Sequence, residues 1–269
     1  MKQFAFLIIT SFLMVGCHNT PTPVQNIKTA DDVPVINYTV VKRLPHDPSS
    51  FTEGFLFHND QLFESTGSPQ DMPQTKSLFG VVNVSTGKID AKVELNRDVY
   101  FGEGIVFLKN KVYQLTYKNQ LCFVYDAKTF KKVGQFSYSN KEGWGLTTDG
   151  THIIMSDGTY TLSFIDPDNF KVVKTLQVSA NSYAIDNLNE LEYIKGFIYA
   201  NVWTTNKIVK IDPATGQVVG KMDLTPLKEE AYSQNPGSSE TNGIAYDAAT
   251  DKIYVTGKMW PIIFQINLP

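Results

Sequence analysis

The chain has 269 residues, with 24 Lys and Arg against 27 Asp and Glu, a formal net charge of −3, and 42% hydrophobic residues. Charge this balanced and scattered forms no basic stripe, so no nucleic acid or anionic surface is expected as a partner. The 13 Tyr and 17 Phe favour strands, and the roughly 240 residues beyond the N-terminal segment suffice for one large all-β domain.

The first segment reads as a processing signal. Lys2 precedes the apolar run Phe4 to Val15, too short to span a bilayer and suited to a signal-peptide core. It ends in Met14-Val15-Gly16-Cys17, which resembles a bacterial lipobox with Met14 where Leu is usual, so Cys17 is the expected lipidation site. Residues 18–35 carry Thr, Pro and Asp without periodicity and suit a flexible tether. The expected organisation is therefore a lipoprotein-type signal peptide at 1–17, a tether at 18–35 and a folded domain at 36–269. Such a protein is exported and anchored on the periplasmic or outer-membrane side, touching the membrane only through its lipid. Cys122 is then the one cysteine of the mature domain, so no internal disulfide is possible; within Leu121-Cys122-Phe123-Val124-Tyr125 it reads as a buried strand residue.

Five stretches along the domain repeat one short strand. They are Phe51-Thr52-Glu53-Gly54-Phe55, Phe101-Gly102-Glu103-Gly104-Ile105, Gly143-Trp144-Gly145-Leu146, Leu188-Asn189-Glu190-Leu191 and Thr241-Asn242-Gly243-Ile244. Aligned on the next apolar residue, Glu53, Glu103, Trp144, Asn189 and Asn242 are equivalent, with spacings of 41–53 residues. Between them runs a second repeated element, a β-rich run reaching an Asx turn, as in Ser163-Phe164-Ile165-Asp166-Pro167 and Val209-Lys210-Ile211-Asp212-Pro213. Each unit thus holds four short strands, the mark of a propeller blade. A short helix is expected near Leu224 to Tyr232. The fifth unit ends early, at Pro261 to Asn267, and Asn37 to Leu44 can supply its missing outer strand. The expected fold is an all-β, five-bladed β-propeller closed by an N-terminal strand.

Around such an axis the five equivalent side chains converge. Trp144, Trp203 and Trp260 occupy comparable places in their units, with Tyr117 in the matching place of the second, and are expected to wall one pocket. Glu53 and Glu103 facing each other in a confined site raise each other's pKa, which suits proton transfer. Lys258, between Gly257 and Trp260, can bring an ammonium to the same place, where it and an amide stabilise an oxygen gaining negative charge. His46, His58 and His152 lack zinc-ligand spacing. An all-oxygen Ca²⁺ site from Glu53, Glu103, Asn189 and Asn242 is chemically open. No Gly-rich phosphate loop or Gly-x-Ser-x-Gly elbow occurs.

Several motifs then occur in a fixed order: Phe51-Thr52-Glu53-Gly54, Phe101-Gly102-Glu103-Gly104, Gly143-Trp144-Gly145-Leu146, Ser156-Asp157-Gly158-Thr159, Leu188-Asn189-Glu190-Leu191, Asn201-Val202-Trp203 and Thr256-Gly257-Lys258-Met259-Trp260-Pro261. With them the chain resembles the plant-type (papaya-type) glutaminyl-peptide cyclotransferases, a family also found in bacteria, over about residues 38–267. The resemblance implies a five-bladed propeller that converts N-terminal glutamine of peptides or proteins to pyroglutamate with loss of ammonia, without catalytic metal or other cofactor. It implies Glu103 as the proton-transfer residue, Asn189 and Lys258 as groups that bind or polarise substrate, and Phe51, Phe101, Trp144 and Trp203 as pocket walls. Two residues depart from the family pattern: Glu53 stands in place of Gln, and Tyr117 in place of Trp. With Trp260 and Asn242 added from the repeat, these residues form the candidate site of an expected monomer. The competing readings are a Ca²⁺-dependent, lactonase-like propeller hydrolase and a propeller that binds a surface partner without catalysis.

Overall fold

Alternating strand residues broken by tight turns fold each repeat into a four-stranded antiparallel sheet. The computed structural model describes residues 29–269, so the signal segment and Cys17 lie outside the described residues. Strand β1 (Thr39–Pro45) precedes the first blade, which comprises β2 (Phe51–His58), β3 (Gln61–Gly67), β4 (Leu78–Val82) and β5 (Ile89–Glu94). The second blade is β6 (Gly102–Leu108), β7 (Lys111–Thr116), β8 (Leu121–Asp126) and β9 (Lys132–Ser137). The third is β10 (Leu146–Thr148), β11 (Ile153–Met155), β12 (Thr161–Ile165) and β13 (Val172–Gln177), followed by a two-stranded ribbon of β14 (Ser179–Ala180) and β15 (Tyr183–Ala184). The fourth is β16 (Leu188–Ile194), β17 (Phe197–Val202), β18 (Lys207–Ile211) and β19 (Val218–Asp223). After helix α1 (Thr225–Gln234) come β20 (Thr241–Asp247), β21 (Lys252–Gly257) and β22 (Ile262–Asn267).

The fifth sheet has the order β1-β22-β21-β20, so the two ends of the domain share one blade. Its register runs from Thr39 opposite Asn267 to Pro45 opposite Ile262. The expected closure is therefore present, one or two residues along from 37–44. Strands β2, β6, β10, β16 and β20 are innermost and pack against one another in a closed ring. Apolar clusters fill the wedges between blades, as where Leu56 and Phe63 meet Ile105 and Phe107. Cys122 lies fully buried in β8, and burial pushes its thiol pKa up.

Helix α1 matches the expected short helix within two residues at each end and begins with Pro226 in its first turn, where a missing N–H costs nothing. Leu227 and Ala231 anchor it on the cluster that includes Ile244, Trp260 and Phe264. Residues 29–36, most of which the sequence reading assigns to the tether, run along the outer edge of the fourth blade. There Ile36 N–H donates to the Lys221 carbonyl at 2.8 Å and Lys221 N–H to the Pro34 carbonyl at 2.9 Å. The segment covers backbone groups that an edge strand would otherwise expose.

The position just after each repeated site residue builds the axis of the ring. Gly54, Gly104 and Gly243 occupy it in three inner strands, Gly145 just before the inner strand of the third blade, and Glu190 in that of the fourth. A Cβ on Gly145 would sit 2.2 Å from the Asn189 carbonyl oxygen, and one on Gly104 would sit 2.5 Å from the Leu146 nitrogen. Only glycine allows the backbones this close. The fully buried Glu190 fills the space they leave, accepting hydrogen bonds from Phe55 N–H at 3.1 Å and Ile244 N–H at 2.8 Å. It staples the fourth blade to the first and fifth. Glu190→Ala leaves two buried N–H groups without acceptors, so a loss of about 2–4 kcal/mol in urea unfolding is expected. A midpoint unchanged from the parent would remove Glu190 from the closure of the ring.

Candidate active site

The first strand of a propeller blade starts near the axis, and here the start is bulged. Register shifts fall at Thr52–Gly54, Gly102–Ile105, Leu188–Leu191 and Thr241–Ile244. A bulge turns a side chain out of the strand's alternation, and these four contain Glu53, Glu103, Asn189 and Asn242. Polar groups on the second strands, or one residue beyond them, hold the bulges from the neighbouring blade. Ser65 Oγ donates to the Glu103 carbonyl at 2.6 Å, Ser156 Oγ to the Asn189 carbonyl at 2.7 Å, and Asn201 Oδ1 accepts from Gly243 N–H at 3.0 Å. Each of these blades thus fixes the bulge of the next.

Glu53, Glu103, Asn189 and Lys258 line a single cavity of about 540 Å³. Phe51, Phe101, Tyr117, Trp144 and Trp203 wall it. Phe51 meets Phe101 edge-on at 6.1 Å between centroids, Phe101 lies 5.7 Å from Tyr117, and Trp144 meets Trp203 edge-on at 5.4 Å. Trp144 Nε1 donates to Glu142 Oε2 at 3.0 Å, which fixes the indole's rotation.

The charges form one coupled group. Lys258 Nζ lies 2.8 Å from Glu53 Oε1 and 4.5 Å from the centre of the Phe51 ring, and Asn242 Nδ2 donates to Glu53 Oε2 at 2.9 Å. Burial raises the Glu53 carboxyl to about 7 against the pull of the ammonium. For Glu103, burial and then the charge of Glu53 push the pKa well above the ordinary carboxylate range. Burial works against the Lys258 ammonium, but Glu53 and Glu103 together raise its pKa and keep it charged. One ammonium balances one carboxylate, Glu53, while Glu103 holds its proton. Oε2 of Glu103 and Oδ1 of Asn189 are both buried without a hydrogen-bond partner in the protein, which leaves them free to bond a molecule in the cavity. Burial and Glu142 also push the Tyr117 phenol up to about 12, so it stays neutral.

Two of the expected site residues stand elsewhere. Trp260 is fully buried in the core, edge-on to Phe264 with Nε1 donating to the Ser239 carbonyl at 3.0 Å, and does not line the cavity. Its indole lies over Gly257, whose Cβ would come within 2.3 Å of the ring. Asn242 also lies off the cavity wall and acts through Glu53. Glu142, Asn187, Ser239 and Glu240, with Pro69 and Met72, also line the cavity and fall outside every sequence motif, while Asp157 and Thr159 enter only as neighbours of Gly158 in the Ser156-to-Thr159 motif. They sit in loops, outside the repeated strand positions. Gly158 was legible only as part of a motif. It has φ +79° and supports the Trp144 ring, which a Cβ would approach to 2.7 Å. Gly158→Ala is expected to displace Trp144 and raise KM about tenfold or more, since left-handed backbone and overlap both act against the side chain. Steady-state kinetics with an unchanged KM would contradict this.

A propeller of five blades whose axis opens into a buried carboxyl–amide–ammonium cavity with aromatic walls has the concave, convergent lining of a ligand or active site rather than a flat binding surface. The chain belongs to the glutamine cyclotransferase family, whose family model matches residues 10–268. It is 39% identical over 231 residues to a glutaminyl-peptide cyclotransferase of Arabidopsis thaliana, covering 85% of this chain and 70% of that protein. The crystal structure of Myxococcus xanthus glutaminyl cyclase is similar with a TM-score of 0.78 and 32% identity, over 87% of this chain and 98% of that one.

Proposed function

We propose that the protein cyclises N-terminal glutamine of peptides or proteins to pyroglutamate and releases ammonia. The observation that carries this reading is the meeting of Glu103, Asn189 and Lys258 in one aromatic-walled cavity. In the reaction the α-amine nitrogen bonds to the γ-carboxamide carbon and the carbon–amide nitrogen bond breaks. A proton moves from the attacking nitrogen to the leaving one. Both nitrogens belong to one residue, so holding its folded conformer supplies much of the rate gain.

Each group has a part in that transfer. Glu103, buried and protonated, takes the amine proton on one oxygen while its own proton passes to the leaving nitrogen. No net charge is then created in a poorly solvated place. Lys258, steered by Glu53 and Phe51, faces the carboxamide oxygen as it gains charge. The free Oδ1 of Asn189 accepts a substrate N–H and turns the amine towards the carbon. The aromatic walls keep water away and favour the ring over hydrolysis. Calcium does not fit this donor set, because the Lys258 ammonium occupies one face of Glu53 at hydrogen-bond distance and Asn242 the other. Release of ammonia from Gln-Ala amide by the purified protein, with pyroglutamyl-Ala amide as product, tests the reading; neither product at any pH from 6 to 9, roughly the range in which the α-amine titrates, refutes it.

The α-amine must be neutral to attack, with a pKa near ~8, so kcat/KM rises with pH on the acid side. It falls on the alkaline side as Glu103 ionises. The charge of Glu53 holds the Glu103 pKa up; Glu53→Gln removes that charge and moves the alkaline limb to lower pH, while activity near neutrality is kept or raised. A pH profile identical to the parent's would contradict this coupling. For its place in the cell we propose export and lipid anchoring at Cys17, resting on the lipobox-like Met14 to Cys17; mass spectrometry of the membrane-extracted protein tests it. Among the described residues no helix is long and apolar enough to cross a membrane.

A further inference from the structure

The inner part of the cavity accounts for a glutamine side chain and its amine. The rest of the peptide leaves past half-exposed residues, among them three carboxylates. Glu142, Asp157 and Glu240 all line the cavity, on loops of three different blades. Glu142 has a cation nearby, Lys118 Nζ at 3.8 Å. Asp157 Oδ2 instead accepts from the Asn140 amide at 2.7 Å, and its Oδ1 from Thr159 N–H at 3.0 Å. Glu240 Oε2 accepts from Ser239 Oγ at 2.6 Å. Neither Asp157 nor Glu240 is ion-paired with a basic side chain among the described residues. Lys258, the cation of the lining, is paired with Glu53, and Glu240 lies close enough to add to the field on that pair without bonding it.

The same lining presents an aromatic face. Trp203 is 37% exposed, edge-on to Trp144, which is backed by Gly158 next to Asp157. The same cavity is lined by the buried Asn189, whose Oδ1 has no hydrogen-bond partner in the protein and is free to bond a ligand. Unpaired carboxylates beside an exposed indole suit a guanidinium or ammonium, through charge and through the ring face together.

We propose that Asp157 and Glu240, with Trp203, make this cavity selective for glutaminyl peptides whose following residues are basic, arginine or lysine at the second position above all. The inference rests on the cyclase reading and names its preferred substrates. An acidic second residue meets repulsion from the same carboxylates, so the two preferences add.

The test compares C-terminally amidated Gln-Arg, Gln-Ala and Gln-Glu, so that no terminal carboxylate confuses the charge. The parent enzyme is expected to show kcat/KM for Gln-Arg about tenfold above Gln-Glu at low salt, with the ratio falling as salt screens these carboxylates. In the Asp157→Asn, Glu240→Gln double variant that ratio approaches one. A parent ratio near one, with Gln-Ala turned over normally, overturns the selectivity and leaves the cyclase reading standing. Failure of all three peptides overturns the cyclase reading itself. A parent ratio that survives in the double variant assigns the selectivity elsewhere and also overturns the proposal.

Discussion

Glu103→Gln is expected to lower kcat by about 10²–10⁴ while the thermal unfolding transition stays close to that of the parent. The carboxyl is held in its protonated form, well above the ordinary range, by burial and by Glu53. Replacing a neutral carboxyl with an isosteric carboxamide therefore changes little in the folding balance. Its Oε2 makes no hydrogen bond in the protein, so no internal partner is lost. What disappears is a group able to accept one proton and donate another during the same transfer. Loss of rate without loss of fold separates catalysis from architecture. A rate unchanged in a well-folded variant would take Glu103 out of the reaction.

Lys258→Met is expected to damage both activity and stability. The ammonium is the counterion of a fully buried carboxylate at 2.8 Å, and removing one partner of such a pair costs about 3–5 kcal/mol. The cost depends on pH in a definite direction. The folded-state pKa of Glu53 is raised to about 7, above the ordinary carboxyl value near ~4.3, so the native state holds a proton that the unfolded chain releases. In the parent this makes stability fall as pH rises between the two values, with no change below both. Without Lys258 the carboxyl is pushed higher still, so the deficit of the variant grows with pH and is small under acid conditions. Adding Glu53→Gln removes the stranded charge and should recover most of the stability but not the activity. Urea titrations at acid and mildly alkaline pH check this; a deficit independent of pH would mean that the pair is not coupled as described.

The fold was readable because a propeller writes its period into the chain. Five copies of one inner strand gave the number of blades, and the early end of the fifth unit pointed to closure by the N-terminal strand, now seen pairing with Ile262–Asn267. The equivalence of Glu53, Glu103, Trp144, Asn189 and Asn242 also located the axis. What a repeat cannot tell is which way a side chain leaves the backbone. Trp260 shares its place in the unit with other pocket residues, yet the bare surface of Gly257 lets its indole fold back into the core. Asn242 sits on a bulge like its counterparts, but its amide is spent on Glu53 and the Thr52 carbonyl.

The loop residues escaped for a different reason. Glu142 and Glu240 lie between strands, where each blade differs from the next, so no alignment of repeats draws attention to them, and Asp157 stood in a motif without a role. Glu190 was visible in the alignment as the one carboxylate among four glycines. Its meaning came only with the structure: backbones that approach across the axis leave N–H groups that one side chain must satisfy.

The central claim is that substrate nitrogen, not water, attacks the carboxamide in this cavity. The most direct measurement is turnover of Gln-Ala amide in water enriched in heavy oxygen, with mass analysis of the product. Attack by the amine gives the pyroglutamyl peptide free of label, with ammonia released in equal amount. A glutamyl peptide carrying heavy oxygen would show hydrolysis and contradict the account.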